Sequence, residues 1–146
     1  MIKILFVCTG NTCRSPMAEF ILKQKLKWAG IKNVRVSSAG LNTEDGLPMN
    51  ENSKKALKLL GIPYRTFKSK RINESLIEKS TYVICMTKSH KLYLKEFENV
   101  YTFTDLTGIE EVLDPYGQGL DAYVQTSHQL EDGCNILMKH IFGGLL

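Results

Sequence analysis

The sequence predicts an α/β fold: a single-domain, three-layer sandwich with a central parallel sheet of four to five strands and helices on both faces. Segments of strand character alternate with segments of helical periodicity, the order typical of parallel sheets with right-handed crossovers. The first strand, Ile2 to Val7, is apolar almost throughout, as expected of a strand covered on both faces. The 146 residues, 43% of them hydrophobic, suit one domain spanning residues 1–146.

The remaining elements follow from periodicity and from turn residues. Further strands are predicted at Val34 to Ser37, at Tyr64 to Ile72 (a strand or an extended segment), at Thr81 to Met86 and at Asn99 to Phe103. Helices are predicted from Pro16 to Ala29, from Asn50 or Asn52 to Leu60, from Asn73 to Lys79, from Lys88 to Phe97, and from a cap at Asp121 to about His140. Loops are predicted at Leu41 to Asn50 and at Thr104 to Gly119.

Several side chains of these helices are predicted to face the core because they recur at helical spacing. They are Ala18, Ile21, Leu22, Leu26 and Ala29 in the first helix, Ala56, Leu57, Leu59 and Leu60 in the second, and Leu92 and Phe97 in the fourth. Trp28 is expected at the core or its rim. The three histidines, which lack ligand spacing, are expected on the surface or on helix faces.

Composition limits the class of protein. The net charge of +4 indicates a mildly basic surface, and without a dense lysine or arginine block we expect no nucleic-acid partner. No apolar run reaches the roughly 18 residues of a membrane span, so we expect no membrane association. Four cysteines without zinc spacing predict neither a metal nor another cofactor, and they favour a reducing cytoplasm.

The stretch from Cys8 to Pro16 carries the chemistry. It places a cysteine, five residues and an arginine in the turn between the first strand and the first helix. Backbone N–H groups at a helix start lack partners and form an anion nest, while Gly10 and Asn11 tolerate the positive φ that such a curl needs. Arg14 can grip two phosphate oxygens, and the same positive field favours a thiolate at Cys8. The pattern predicts a site that holds a phosphoryl group and attacks it with sulfur.

The run Cys8-Thr9-Gly10-Asn11-Thr12-Cys13-Arg14-Ser15-Pro16 resembles the signature loop of the low-molecular-weight protein phosphatases, and most closely their bacterial protein arginine phosphatase branch. The resemblance implies a metal-independent phosphatase with Cys8 as nucleophile and Arg14 as phosphate clamp. Ser15 would donate a hydrogen bond to the thiolate. The substrate-binding loop would comprise Thr9, Gly10, Asn11, Thr12, Cys13 and Ser15. Phosphorylated proteins are the implied substrates, and inorganic phosphate is the product.

A second motif, Asp114-Pro115-Tyr116-Gly117, lies far along the chain. Phosphoryl transfer leaves a basic group that needs a proton, and the family places its general acid in such an Asp-Pro pair. The resemblance therefore implies that Asp114 is the catalytic acid and Tyr116 an aromatic wall of the cleft. Asp121 is a rival acid, although capping a helix would explain it equally well.

Asn11 is expected to hold the loop in shape, and Ser38 resembles the family serine that supports this asparagine. The sequence departs from many relatives at Phe67, where they often carry histidine. Thr12 bears on the substrate. Tyrosine-directed relatives commonly have isoleucine or leucine there, which pack on an aromatic ring, whereas the arginine-directed branch has threonine. We therefore favour phosphoarginine, with low-molecular-weight protein tyrosine phosphatase activity as the alternative.

One redox prediction and two alternative functions remain. Cys8 and Cys13 are a candidate reversible disulfide pair, since the family allows one there; a packed thiol is the alternative for Cys13. Arsenate reductases share the loop, but no cysteine follows Cys85 closely enough for a thiol relay. A non-catalytic phosphoprotein-binding module would need neither the thiol of Cys8 nor the acid of Asp114.

Overall fold

Four parallel strands form the central sheet of the computed structural model, which describes residues 1–143. They are β1 (Ile2–Cys8), β2 (Val34–Gly40), β3 (Tyr82–Cys85) and β4 (Val100–Thr102). Their spatial order is β2-β1-β3-β4. The connection from β1 runs to one side and the chain then crosses back over β1 to reach β3. Such a reversal opens a crevice beyond the carboxyl ends of the strands, where ligands of doubly wound sheets bind.

Helices cover both faces of the sheet, as predicted. They are α1 (Arg14–Trp28), α2 (Glu51–Leu59), α3 (Glu74–Lys79), α4 (Lys88–Tyr93), α5 (Phe103–Thr107) and α6 (Leu120–Phe142). Asn50 caps α2 and Asn73 caps α3, each through a side-chain oxygen that accepts a backbone N–H.

The core divides by the two-residue alternation of β1. Ile4, Phe6 and Cys8 belong to the larger apolar cluster, which includes residues of α1, α2 and α6. Leu5 and Val7 belong to a smaller cluster with residues of α3. Both faces of β1 are therefore buried, which explains its nearly continuous apolar sequence.

Helices α5 and α6 approach each other closely within the larger cluster. A Cβ atom on Gly133 would lie 2.0 Å from the Phe103 ring, so only glycine allows the ring to reach the α6 backbone. Among residues 1–143, no helix is both long enough and apolar enough to cross a membrane.

Several predicted boundaries are wrong. Of the two alternatives for Tyr64 to Ile72, a strand or an extended segment, the strand is wrong, because the segment's β pairing is an isolated bridge between Arg71 and Gly40. The last strand ends at Thr102, because Thr102 caps α5 with a capping box that involves Asp105. The predicted loop from Thr104 to Gly119 therefore begins inside a helix. The second strand also runs on to Gly40.

Helix ends and faces differ from the predictions too. Gly119, not Asp121, occupies the cap position of α6, and Asp121 lies in its first turn. The fourth helix ends at Tyr93 rather than Phe97. Side chains predicted to face the core but found exposed are Ala29, Leu59, Leu92 and Trp28, the last with 63% of its surface accessible. Each lies in or just after the last turn of a short or ending helix, where periodicity no longer decides which side is covered.

Candidate active site

The loop between β1 and α1 lies at the carboxyl end of the sheet. Two of its carbonyl groups accept hydrogen bonds from residues outside the loop. The N–H groups of Asn42 and Asn50 donate to the Thr9 and Thr12 carbonyls at 2.9 Å each. Within residues 1–143, none of the backbone N–H groups from Thr9 to Arg14 donates to another protein group. An anion nest has these two features: carbonyls that are hydrogen-bonded outside the loop, and N–H groups at the start of α1 that are free to bind an anion.

Cys8 is buried at the end of β1, and its Sγ lies 2.9 Å from Ser15 Oγ. The direction of this hydrogen bond follows from a third residue. Asn11 Nδ2 donates to Ser15 Oγ at 2.8 Å, so the Ser15 hydroxyl has its own hydrogen left for sulfur. A donor aimed at Sγ stabilises the thiolate form over the thiol.

Asn11 shapes the loop. It has a φ of 55° and is fully buried. Its Nδ2 also donates to Ser38 Oγ at 2.9 Å, and its Oδ1 accepts the Lys70 N–H at 2.9 Å. The expected contact with Ser38 is therefore present. The Lys70 backbone supplies a further partner, so the amide makes three hydrogen bonds in a chain that has phenylalanine at position 67.

Two supporting residues were not anticipated from the sequence. The Ser38 hydroxyl donates to Glu19 Oε1 at 2.7 Å, and Lys23 Nζ lies 2.6 Å from Glu19 Oε2. Gly40 packs directly against the loop: a Cβ there would lie 2.8 Å from the Thr9 carbonyl oxygen and 3.0 Å from Asn11 Cβ. A glycine at the end of a strand is an ordinary turn signal, so the sequence did not indicate that Gly40 packs against the loop.

Arg14 connects the loop to the segment that carries Asp114. Nη1 donates to the Val112 carbonyl at 2.9 Å, and Nη2 lies 3.8 Å from Asp114 Oδ2. The guanidinium is almost wholly buried, and within residues 1–143 its Nε has no hydrogen-bond partner. A buried cation with an unused N–H is suited to holding an anion.

Asp114 lies across a cleft of about 220 Å³ from the loop. The cleft is lined by Cys8, Thr9, Gly10, Thr12, Cys13, Arg14, Asp114 and Tyr116. About half of the Asp114 side chain is exposed, and its Oδ1 accepts the Tyr116 N–H at 3.1 Å. Tyr116 borders the cleft, and the residue is 71% exposed. The structure thus brings together the predicted nucleophile, clamp, acid and aromatic residue.

His90 lies on helix α4, one of its two predicted placements, but not on the surface. It is buried, and its Nε2 lies 2.9 Å from Thr9 Oγ1 in the loop. Burial, and secondarily the positive charge of Arg14, lower the pKa of His90 to about 4, so the ring is neutral near pH 7. His128 and His140 are exposed, as expected. No pattern in the sequence marked His90, because its partner lies 81 positions away.

All four cysteines are free and buried. Burial is the main cause that raises the pKa of Cys13, whose Sγ lies 3.7 Å from the Tyr123 hydroxyl. Burial likewise raises the pKa of Cys85 and of Cys134 to about 12 each. A protonated, buried thiol is a poor redox nucleophile, which counts further against an arsenate relay through Cys85.

Comparison with known proteins agrees with this geometry. The family model described as "Low molecular weight phosphotyrosine protein phosphatase" matches residues 3–142. The chain belongs to this family of cysteine-dependent protein phosphatases.

The names of individual relatives indicate different substrates. The chain is 37% identical to the "Protein-arginine-phosphatase" of Bacillus subtilis, over 94% of this chain and 95% of that one. It is 34% identical to the "Low molecular weight protein-tyrosine-phosphatase PtpB" of Staphylococcus haemolyticus, over 88% and 91%. A solved structure of the YwlE arginine phosphatase, in a variant with a phosphorylated active-site serine, has a TM-score of 0.90 and 34% identity and covers 97% and 96%.

Proposed function

We propose that this protein hydrolyses phosphoarginine side chains of proteins through a phosphocysteine intermediate. The observation that carries the proposal is Thr12, whose half-buried side chain lines the cleft between the loop and Asp114. A threonine hydroxyl gives a polar wall that can accept an N–H of a guanidinium, where an aliphatic side chain would pack on an aromatic ring. The identity to a protein-arginine-phosphatase over nearly the whole chain supports the same substrate.

In the first step the Cys8 thiolate attacks phosphorus from the side opposite the leaving group. The S–P bond forms and the P–N bond breaks. The leaving guanidino nitrogen takes the electron pair and a proton from the Asp114 carboxyl, so the product is an arginine side chain. The buried guanidinium of Arg14 and the N–H groups of the loop would hold the phosphoryl oxygens through this change.

In the second step water attacks the phosphocysteine. The Asp114 carboxylate takes a proton from that water, the S–P bond breaks, and sulfur recovers the electron pair as a thiolate. Inorganic phosphate then leaves. Ser15, which donates towards Cys8 Sγ, stabilises the thiolate as nucleophile in the first step and as leaving group in the second.

Three further assignments belong to this proposal. Residues 1–146 form one phosphatase domain, because the family match and the core span nearly the whole chain. The protein works in the cytoplasm, where its free thiols stay reduced. Cys8 and Cys13 form a reversible disulfide under oxidation.

A tyrosine phosphatase is the second candidate. The exposed ring of Tyr116 at the cleft mouth favours it, since that ring could pack against a substrate phenyl group. The identity to PtpB of Staphylococcus haemolyticus supports this reading.

Steady-state kinetics on two peptides that differ only in carrying phosphoarginine or phosphotyrosine test the proposal. We expect a kcat/KM at least about 10-fold higher for phosphoarginine, equivalent to roughly 1.4 kcal/mol of transition-state discrimination. Cys8→Ser should abolish turnover of both peptides while retaining affinity for inorganic phosphate. Substantial turnover by this variant would refute the proposed nucleophile.

A further inference from the structure

The outer edge of the sheet at β2 has a cavity of about 750 Å³ along it. Its lining includes Lys3, Val34 and Val36, near the amino ends of β1 and β2. The active-site cleft lies at the carboxyl end of the sheet and shares no lining residue with this cavity. The cavity is thus a separate surface feature, which we call the β2 groove.

The β2 groove runs beside backbone hydrogen-bonding groups that have no partner within residues 1–143. At Gly40 the outer edge is occupied, since its N–H donates to the Lys70 carbonyl at 2.8 Å and its carbonyl accepts from Ile72 at 2.9 Å. Side chains and backbone groups alternate along a strand, so Val34 and Val36 turn their N–H and C=O groups to the same outer side. Within residues 1–143, these groups of Val34 and Val36 have no hydrogen-bond partner. An edge of this kind accepts an added strand.

Basic side chains flank this edge on both faces of the sheet. Arg35 pairs in register with Lys3 on the face that carries α3, where Lys79 also lines the groove. On the face that carries α1, the groove is lined by Lys23 and Lys27. Among the described residues that line the groove, none is acidic. Apart from Lys23, none of these cations forms an ion pair within residues 1–143.

The groove also has an apolar floor on the side of α1. Leu26 is buried there, and Ile31 and Val34 are partly buried against the larger core cluster. A bound segment can therefore bury an apolar side chain on this face while its charged neighbours reach the surrounding lysines.

We propose that the β2 groove docks an acidic, extended segment of a partner protein, which adds to the sheet as an outer strand beside Val34 and Val36. Successive side chains of such a segment point to opposite faces, so acidic residues at neighbouring positions meet cations on both sides. The segment is short, because the chain at Lys70 to Ile72 already pairs with Gly40 at the end of the edge. Docking here leaves the catalytic cleft free.

Fluorescence anisotropy with the full chain and a labelled peptide tests this proposal. The probe has about six residues, a common strand length, with glutamates around a central valine. The charge-reversed variant combines Lys27→Glu and Arg35→Glu, one change on each face. Its control combines Lys55→Glu and Lys95→Glu, exposed lysines outside the groove that give the same net charge.

We expect the groove variant to bind the peptide about 10-fold more weakly than the control, as two lost surface charge contacts imply. A peptide of equal charge with alternate N-methylated residues should bind at least as poorly, because it cannot pair along the edge. Hydrogen exchange at the Val36 N–H should slow when the unmodified peptide is added. All variants should hydrolyse a small aryl phosphate at the wild-type rate, which shows that they are folded.

Three results would each overturn the proposal. An equal loss of affinity in the control variant and the groove variant would indicate general charge attraction. Unchanged binding of the N-methylated peptide would exclude strand addition. A single-stranded oligonucleotide of equal charge binding more tightly than the peptide would assign the groove to a nucleic acid instead.

Discussion

Thr9 Oγ1 and His90 Nε2 lie 2.9 Å apart and join the phosphate loop to the helix that follows β3. Arg14 Nη2 also reaches Thr9 Oγ1, at 3.5 Å. The Thr9 hydroxyl can donate to His90 Nε2 while its oxygen accepts from Arg14, provided that Nε2 carries no proton. In that tautomer His90 orients the Thr9 hydroxyl as a hydrogen-bond acceptor.

Removing this acceptor should impair the loop. We expect His90→Ala to lower kcat/KM about 10-fold, the typical effect of one lost hydrogen bond of roughly 1.4 kcal/mol. His90→Gln, whose amide oxygen can accept, should recover part of the loss. Equal activity in both variants would show that an acceptor for the Thr9 hydroxyl does not support the loop.

His90 also predicts a pH dependence of stability. Its pKa is lowered to about 4 in the folded protein, below the ordinary histidine value near 6.5. Between these values the unfolded chain binds a proton that the folded chain does not, so the free energy of unfolding falls as the pH drops from about 6.5 to about 4. The slope contributed by His90 is at most about 1.4 kcal/mol per pH unit. Denaturant titrations should show a shallower fall in His90→Gln.

The proton-donor role of Asp114 predicts a leaving-group effect. Asp114→Asn should lower kcat on phosphoarginine about 100-fold or more, because the guanidino nitrogen must be protonated as it leaves. The same variant should show a far smaller loss of kcat on an aryl phosphate whose phenol is very acidic, because that leaving group needs no proton. Asp121→Asn is the matched control, since Asp121 is an exposed carboxylate in the first turn of α6. An equal loss on both substrates would assign Asp114 to binding.

The packing of Gly40 predicts a second effect on the loop. Gly40→Ala places a methyl group 2.8 Å from the Thr9 carbonyl oxygen, so the loop must shift. We expect weaker inhibition by inorganic phosphate and a loss of about 1–3 kcal/mol in stability. Gly143→Ala is the control, because its Cβ would meet no atom within 4 Å. Unchanged phosphate inhibition in Gly40→Ala would contradict this role.

The proposed redox pair predicts different fates after oxidation. Wild-type enzyme treated with peroxide should recover its activity on addition of a thiol reductant, because a Cys8–Cys13 disulfide prevents further oxidation of Cys8. After the same treatment the Cys13→Ser variant should recover little of its activity. Mass spectrometry should find the disulfide in the wild type and sulfinic acid at Cys8 in the variant. Full recovery of Cys13→Ser would remove Cys13 from the redox role.

The sheet, its parallel direction and the placement of Cys8 at its carboxyl end followed from local sequence. An apolar run, a glycine-containing turn and helical periodicity are all read from neighbouring residues. Asp114 was found only through the family pattern, because Asp-Pro alone is a common turn signal. Glu19, Gly40 and His90 were missed since their partners are distant in sequence. Trp28 and Leu92 were misplaced because apolar residues near a helix end need not face the core.

The substrate itself is tested most directly by a competition assay. Both peptides, identical except for phosphoarginine or phosphotyrosine, are mixed at equal concentration with the enzyme, and the rates of loss give the ratio of kcat/KM values. A Thr12→Val variant, which replaces the hydroxyl with a methyl group, is assayed in parallel. We predict faster loss of phosphoarginine, by about 10-fold or more, and a smaller ratio in the variant. Faster loss of phosphotyrosine by the wild-type enzyme would contradict the proposed substrate.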